Sequence, residues 1–251
     1  MFDVPADSYA RFMGRFSEPL ATKFADVADV QNGQRALDVG CGPGALTAEL
    51  VRRLGASAVH AIDPSASFVA ATRARCPGVD VQSGSAERIP SAPGVFDATL
   101  AQLVVHFMTD PVAGLAEMAR VTRSGGVVAA CVWDHAGGTG PLAVFWRAVH
   151  DLDHAAQDES GLPGVRAGQL RQLCEAAGLK DIESSSLTVT VIFERFDDWW
   201  DPFTLGVGPG GRYVAGLDSG RRETLRARCE ALLPTAPFPV NAAAWCVRAR
   251  P

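Results

Sequence analysis

Short apolar runs recur along the first half of the chain, each followed by a stretch whose apolar positions fall three or four apart. RALDV (35–39) closes on Gly40, and GALTAELVRRLG (44–55) then places Leu46, Leu50 and Leu54 four apart before Gly55. The pattern predicts a strand, a tight turn and a helix. AVHAID (58–63) predicts a second strand, with Pro64 in the first turn of a helix carrying Phe68 and Val69. VDVQSG (79–84), FDATLAQ (96–102) and SGGVVAACVW (124–133) predict three more strands. After the fourth strand, Asp110 and Pro111 suit the N-cap and first residue of a helix with Leu115, Met118 and Ala119 on one face. Nearly all-apolar strands alternating with helices predict a parallel sheet covered on both faces.

The rhythm breaks at 136–165, where AGGTG, a helix-like PLAVFWRAVHDL and a polar DHAAQDES read as an insertion over the edge of the sheet. AGQLRQLCEAAGL (167–179) resumes as a helix ending at Gly178. SLTVTVIF (186–193) alternates Thr with Val and Ile, and NAAAWCVRAR (241–250) also reads as extended. Neither needs a crossover helix, so the sheet is expected to finish with an antiparallel pair.

At 251 residues and 47% hydrophobic content, the chain can build one large core with a small lid, but hardly two independent domains. A net charge of -5 with no run of Lys or Arg argues against a nucleic-acid partner. The six cysteines lie far apart with no C-x-x-C pair, which suggests neither a metal site nor a disulfide framework and fits a reducing cytoplasm. MFDVPADSYARFMG lacks a basic start followed by an apolar stretch, and no segment approaches about 18 uncharged apolar residues. The expectation is a cytoplasmic chain with no membrane partner.

The glycine turn ALDVGCGPGALT (36–47) sits where an open parallel sheet binds ligands, beyond the carboxyl end of its first strand. Gly40, Gly42 and Gly44 would let a ligand approach bare main chain. Asp63 ends the second strand 19 residues after Gly44, where a carboxylate accepts hydrogen bonds from ribose hydroxyls. A glycine turn with no ligand, and an Asp63 that merely caps its helix, are the bland alternatives. The spacing is G-x-G-x-G, with Ala45 and Leu46 where a dinucleotide fingerprint carries its third glycine. An NAD(P)-dependent oxidoreductase of the short-chain type also needs Tyr four residues before Lys, whereas Tyr9 and Tyr213 are followed at that offset by Met13 and Leu217.

Taken in order, LDVGCGPGALT, HAIDPS, GSAERIP and FDATLAQLVVHFMTDP resemble the successive motifs of the class I S-adenosylmethionine-dependent methyltransferases of small-molecule type, over about residues 33–135. The resemblance implies an α/β, Rossmann-like fold: a seven-stranded, mostly parallel sheet, helices on both faces, an antiparallel last hairpin and a small lid insertion. It divides a single domain, 1–251, into an N-terminal cap (1–32), a cofactor-binding core (33–135), the insertion (136–165) and a C-terminal part (166–251) with an aromatic lid segment at 196–218.

S-adenosyl-L-methionine is the implied cofactor and S-adenosyl-L-homocysteine the product. Asp38 and the backbone of Gly40, Cys41, Gly42 and Gly44 would hold the methionine end, and Asp63, followed by Pro64, the ribose. Ser85, Ala86 and Glu87 match the stretch that contacts adenine; the family commonly has Asp where this chain has Ser85. Ala101 and Gln102 match residues beside the methionyl chain. In similar enzymes the N-terminal segment folds over the cofactor, so Tyr9 and Arg15 would cover its methionine end.

Methyl transfer from a sulfonium is an in-line displacement, helped by holding donor and acceptor about 3 Å apart and by excluding water. An acceptor hydroxyl or protonated amine calls for a base. His106, at a position where relatives of this kind carry His, is the catalytic candidate, and His135 the second. Against both stands a His satisfied by backbone in a loop. Trp199, Trp200, Phe203 and Tyr213, around a flexible Gly-Pro-Gly-Gly run, would line an apolar acceptor pocket or simply pack their segment onto the sheet. The chain lacks the Asn- or Asp-Pro-Pro-aromatic tetrapeptide of nucleic-acid amino-methylating relatives, so the expected partner is a small organic acceptor, methylated on O, N or C. A monomer or homodimer without a metal is expected, and a cofactor-binding regulatory protein that transfers nothing is the non-enzymatic alternative.

Overall fold

In the computed structural model, which describes residues 6–251, seven strands form one sheet in the order β3-β2-β1-β4-β5-β7-β6. They are β1 (Ala36–Val39), β2 (Val59–Asp63), β3 (Asp80–Ser83), β4 (Phe96–Gln102), β5 (Thr122–Trp133), β6 (Lys180–Phe193) and β7 (Phe238–Arg250). β1 to β5 run parallel, and β7 lies antiparallel to both β5 and β6. The mostly parallel sheet with a final antiparallel hairpin matches the expectation from the sequence.

Strand alternation divides the core between the two faces. From β5, Val127, Ala129, Cys131 and Trp133 join one buried cluster while Val128, Ala130 and Val132 join another. The first cluster is closed by the helices Arg15–Val27 (Phe16, Leu20, Phe24) and Ala45–Leu54 (Leu46, Leu50), the second by Pro111–Val121 (Leu115, Met118) and Gln169–Ala176 (Leu170, Cys174). Asp110 does cap its helix, accepting the Ala113 N–H at 3.0 Å, with Pro111 in the first turn.

Several elements depart from the sequence reading. β6 begins at Lys180 instead of 186 because its first half lies on an exposed sheet edge, where pairing such as Glu183 with Arg248 and Ser185 with Cys246 leaves no apolar signature. Pro64 precedes its helix, which starts at Ala66 after Ser65. Within 136–165, Phe145, Ala148 and Val149 of the helix Ala143–Leu152 are fully buried in the first cluster, which also holds Trp133 of β5 and Ala244 of β7. The Gly-Pro-Gly-Gly run is a helix, Gly208–Ala215, with Pro209 in its first turn. Its glycines make close packing possible, since a Cβ on Gly210 would lie 3.2 Å from the Phe145 ring and one on Gly211 2.7 Å from the Gly206 backbone.

Candidate active site

β1 and β4 are neighbours, but the chain continues from β1 to β2 on one side and from β4 to β5 on the other. The order reverses between them, and a crevice opens at their carboxyl ends. β1 runs into the glycine turn, where Gly40, Gly42 and Gly44 have φ of +71°, +54° and +87°, a region that side-chain-bearing residues rarely adopt. At Gly40 a Cβ would strike the Val104 side chain at 2.6 Å; at Gly42 it would meet nothing within 4 Å, so bare main chain faces open space. Gly44 is absent from the lining of the two hollows at this turn, and a Cβ there would press on Thr72 at 3.1 Å, so the missing side chain also lets the helices pack.

The crevice holds a cavity of about 360 Å³ lined by Gly40, Gly42, Asp63, Pro64, Ser85, Ala86, Glu87, Gln102 and Tyr9, together with Phe68, Val104 and Met108. The last three carry no polar signal that sequence reasoning could have singled out. A smaller hollow of about 30 Å³ continues from it past Asp38 and Cys41, with Gly42 and Gln102 in both walls.

Asp63 is buried at the end of β2, its Oδ2 accepting the Gly42 N–H at 2.9 Å and its Oδ1 the Ser65 N–H at 2.8 Å. Burial raises its proton affinity, and these two N–H groups oppose the rise. Asp38 is 1% exposed and accepts the Thr47 hydroxyl at 2.6 Å. Burial lifts its pKa to about 7, Thr47 opposing and the nearby Asp63 adding to the rise. The Cys41 thiol, buried near both carboxyls, is likewise pushed up. Gln102 donates its Nε2 to the Ser17 carbonyl at 3.0 Å, leaving Oε1 buried without a partner.

Other expected contacts fall elsewhere. Glu87 borders the cavity, but its Oε1 accepts the Thr109 N–H at 2.9 Å, tying down the loop after β4. Ala101 points away: it is fully buried in the second core cluster, on the face opposite to its neighbour Leu100. Arg15 is exposed, with its guanidinium 5.4 Å over the Phe193 ring, because it projects from the outer side of its helix.

A second, inner cavity of about 40 Å³ adjoins the first and is lined by Phe12, Met13, His106, Trp133, His135 and Glu159. Tyr9, Leu103 and Phe107 border both spaces. Leu103 has a φ of +62°, strained for a branched apolar residue, and its N–H is pinned to the Cys131 carbonyl at 2.8 Å. The His106 and His135 rings lie 5.8 Å apart, and His106 Nδ1 is buried with no partner. Burial, aided by His135, lowers the His106 pKa to about 3, and burial lowers that of His135 to about 4 despite Asp158 and Asp134. Asp134 fixes the loop that carries His135, accepting the Gly137 N–H at 2.8 Å, the Thr139 hydroxyl at 2.6 Å and the Trp245 indole at 3.0 Å. Beyond His135, Leu142 and Glu159 opens an outer cleft of about 480 Å³. Glu159 comes from the insertion, in a polar stretch with no motif or spacing to mark it.

Trp199, Trp200, Phe203 and Tyr213 line neither the inner cavity nor the larger one. The first three are 3–4% exposed and pack into the first core cluster, Phe203 stacking on Phe145 at 4.3 Å. Tyr213 donates its hydroxyl to exposed Asp153 at 3.2 Å. Their large apolar surfaces stabilise the segment that backs Phe12, which itself packs on Phe203 at 5.2 Å. Among the described residues, no group of three or more His, Cys, Asp or Glu could hold a metal, and no helix is long and apolar enough to cross a membrane.

Comparison with known proteins gives this geometry a family. The model of a family described as "Methyltransferase domain" matches residues 37–130. A ubiquinone biosynthesis O-methyltransferase from Rhizobium etli is 36% identical over 182 residues, 67% of each chain. A trans-aconitate 2-methyltransferase from Rhizobium etli is 31% identical over 160 residues, 62% of this chain and 60% of that one. For several further curated relatives the matched stretch spans only 30% to 46% of their length. Among solved structures, a Haemonchus contortus phosphoethanolamine N-methyltransferase 2, in complex with phosphomonomethylethanolamine and S-adenosylhomocysteine, shares the fold with a TM-score of 0.61 at 16% identity, covering 98% of this chain and 57% of that chain. With the ordered motifs, the strand order and two-thirds coverage of a relative at this identity, the chain belongs to the class I S-adenosylmethionine-dependent methyltransferases.

Proposed function

We propose that this chain transfers a methyl group from S-adenosylmethionine to a small organic acceptor that lies in the outer cleft and extends its reacting group into the inner cavity. The observation that carries the reading is the shared wall: Tyr9, Leu103 and Phe107 border both spaces, so the two reactants can meet without crossing bulk water. Bound in the larger cavity, the cofactor supplies a methyl group on a positively charged sulfur. The lining fits such a ligand. Gly42 offers bare main chain, Gln102 Oε1 lacks a partner, and Asp63 keeps lone pairs beyond those used by Gly42 and Ser65.

In this reading Asp63 accepts the ribose hydroxyls. Asp38, with the backbone of Gly40, Cys41 and Gly42 around the smaller hollow, receives the methionine end, and Gln102 Oε1 accepts a donor there. Ser85 and Ala86 border the adenine, while Glu87 holds the loop that closes over it. Tyr9 covers the cofactor, its ring packed edge-on against Phe68 at 5.4 Å. His106 and His135, held neutral by burial, orient the acceptor through hydrogen bonds. The names of the relatives, a trans-aconitate 2-methyltransferase and a ubiquinone biosynthesis O-methyltransferase, support a small organic acceptor. Methyl-labelled cofactor incubated with the chain and a low-mass metabolite extract tests the reading: label should enter a small acceptor with the parent chain and not with Asp63→Ala. Cofactor binding with no label transferred to any metabolite would instead make the chain a cofactor-binding regulator.

A further inference from the structure

Glu159 stands apart from the residues that the methyltransferase motifs account for. It opens a short 3₁₀ turn, Glu159–Gly161, that Asp158 fixes by accepting the Ser160 N–H at 2.9 Å, and its own carbonyl accepts the Leu162 N–H at 3.1 Å. The side chain is 3% exposed, its Oε2 has no hydrogen-bond partner, and it lines both the inner cavity and the outer cleft. A buried carboxyl oxygen without a partner costs stability. Placed where the acceptor must sit, it marks a contact that the acceptor completes.

We infer that Glu159 takes the proton of the acceptor, and that the acceptor is accordingly an acidic hydroxyl on a flat, apolar body, a phenol or an enol. This rests on the methyltransferase reading above and narrows it to a substrate class. Phe12, Met13, Phe107 and Trp133 provide apolar walls for its reacting end, and Leu142, Ala143 and Trp146 for the body in the outer cleft. An ammonium acceptor would suit Glu159 poorly, because a carboxylate beside it would hold the proton on nitrogen and hide the lone pair that must attack. With a hydroxyl, the O–H bond breaks, the proton bonds to Oε2, and the electron pair stays on the acceptor oxygen as the nucleophile. One negative charge is present before and after the step.

The surrounding charges favour Glu159 over either histidine in this role. His106 and His135 border the same space, Trp146 and Arg212 reach Glu159 from two helices, Asp158 adjoins it in the chain, and Arg147, His150, His154 and Asp151 line the outer cleft beside it. Burial is the largest influence and lifts the carboxyl to about 7; its own backbone N–H, the Trp146 N–H and Arg212 oppose the rise, and Asp158 adds to it. The Trp146 indole acts from nearby without closing a hydrogen bond of good geometry. A base works best with a proton affinity near the working pH, which Glu159 has and His106 and His135 lack.

The test uses the full chain saturated with S-adenosylhomocysteine and titrated with 4-nitrophenol, whose ionised form is yellow. Expected is saturable binding with the phenolate band in the bound state, loss of that band in Glu159→Gln, and its partial return in Glu159→Asp. The absence of saturable binding, an unchanged band in Glu159→Gln, or loss of the band in His106→Asn but not in Glu159→Gln would overturn the inference. Calorimetric binding of S-adenosylhomocysteine, measured in parallel, checks that each variant is folded and separates the two readings. If that ligand does not bind the parent chain, the proposed function itself falls; if it binds and no phenolate forms, the assignment of Glu159 alone falls.

Discussion

The Asp63 carboxylate accepts the backbone N–H of Gly42 at 2.9 Å, linking the end of the second strand to the glycine turn after the first. The acid therefore shapes the turn as well as facing the cavity. Asp63→Ala leaves the Gly42 and Ser65 N–H groups without their acceptor, which should cost about 1–3 kcal/mol of stability. It should also weaken S-adenosylhomocysteine by about tenfold to a hundredfold, the worth of a hydrogen bond to a charged group. Thermal melts and calorimetry separate the two effects, and Asp63→Asn should recover part of each.

Gly42 and Gly44 should answer differently to alanine. Both have positive φ, so each change strains the backbone by roughly 1–2 kcal/mol. In Gly42→Ala the new methyl group enters the open space of the cavity, and ligand affinity should fall far more than stability. In Gly44→Ala it presses on Thr72, and stability should fall more than affinity. Denaturant titration beside calorimetry checks the contrast.

If Asp38 receives the cofactor's ammonium group as proposed, cofactor affinity should depend on pH. Burial holds the Asp38 carboxyl at about 7 in the free chain. The ammonium of a bound ligand favours the ionised form, so the complex carries fewer protons at Asp38 than the free protein does. Affinity for S-adenosylhomocysteine should therefore rise as pH climbs toward about 7 and level off above it. Asp63, also raised by burial, acts with the same sign. Asp38→Asn should flatten this rise, and an affinity for the parent chain independent of pH would contradict the assignment.

Phe203→Ala tests where the aromatic segment acts. The ring stacks on Phe145 inside the core, so truncation should cost about 3–5 kcal/mol of stability. At a temperature where the variant remains folded, cofactor affinity should change little, because Phe203 lines neither the cofactor cavity nor the inner one.

The glycine turn and the carboxylate that line the larger cavity were legible in the sequence because backbone constraint leaves a mark. A turn that needs positive φ at Gly40, Gly42 and Gly44 selects glycine, and a carboxylate at the end of the second strand has few reasons to be there. The acceptor half left no such mark. Trp199, Trp200 and Phe203 have the same apolar character whether they fill a core or line a pocket, and only tertiary packing decides. Glu159 sits among Asp158 and Ser160 in a polar stretch, and folding of the insertion against the sheet brings it beside His135. At Gly44 and Ala101 the motif marks positions where packing also acts: a Cβ on Gly44 would press on Thr72, and the Ala101 side chain faces the core. The N-terminal helix carries a signal too, Phe16, Leu20 and Phe24 spaced four apart, and this stripe packs into the first core cluster.

A structure determined with S-adenosylhomocysteine bound tests the central claim most directly. The ribose diol should lie on Asp63, the amino-acid tail over Gly42 toward Asp38 and Gln102, and the sulfur on the side bordered by Tyr9, Leu103 and Phe107. Ligand density in the outer cleft, or nowhere in the crevice between the first and fourth strands, would contradict it.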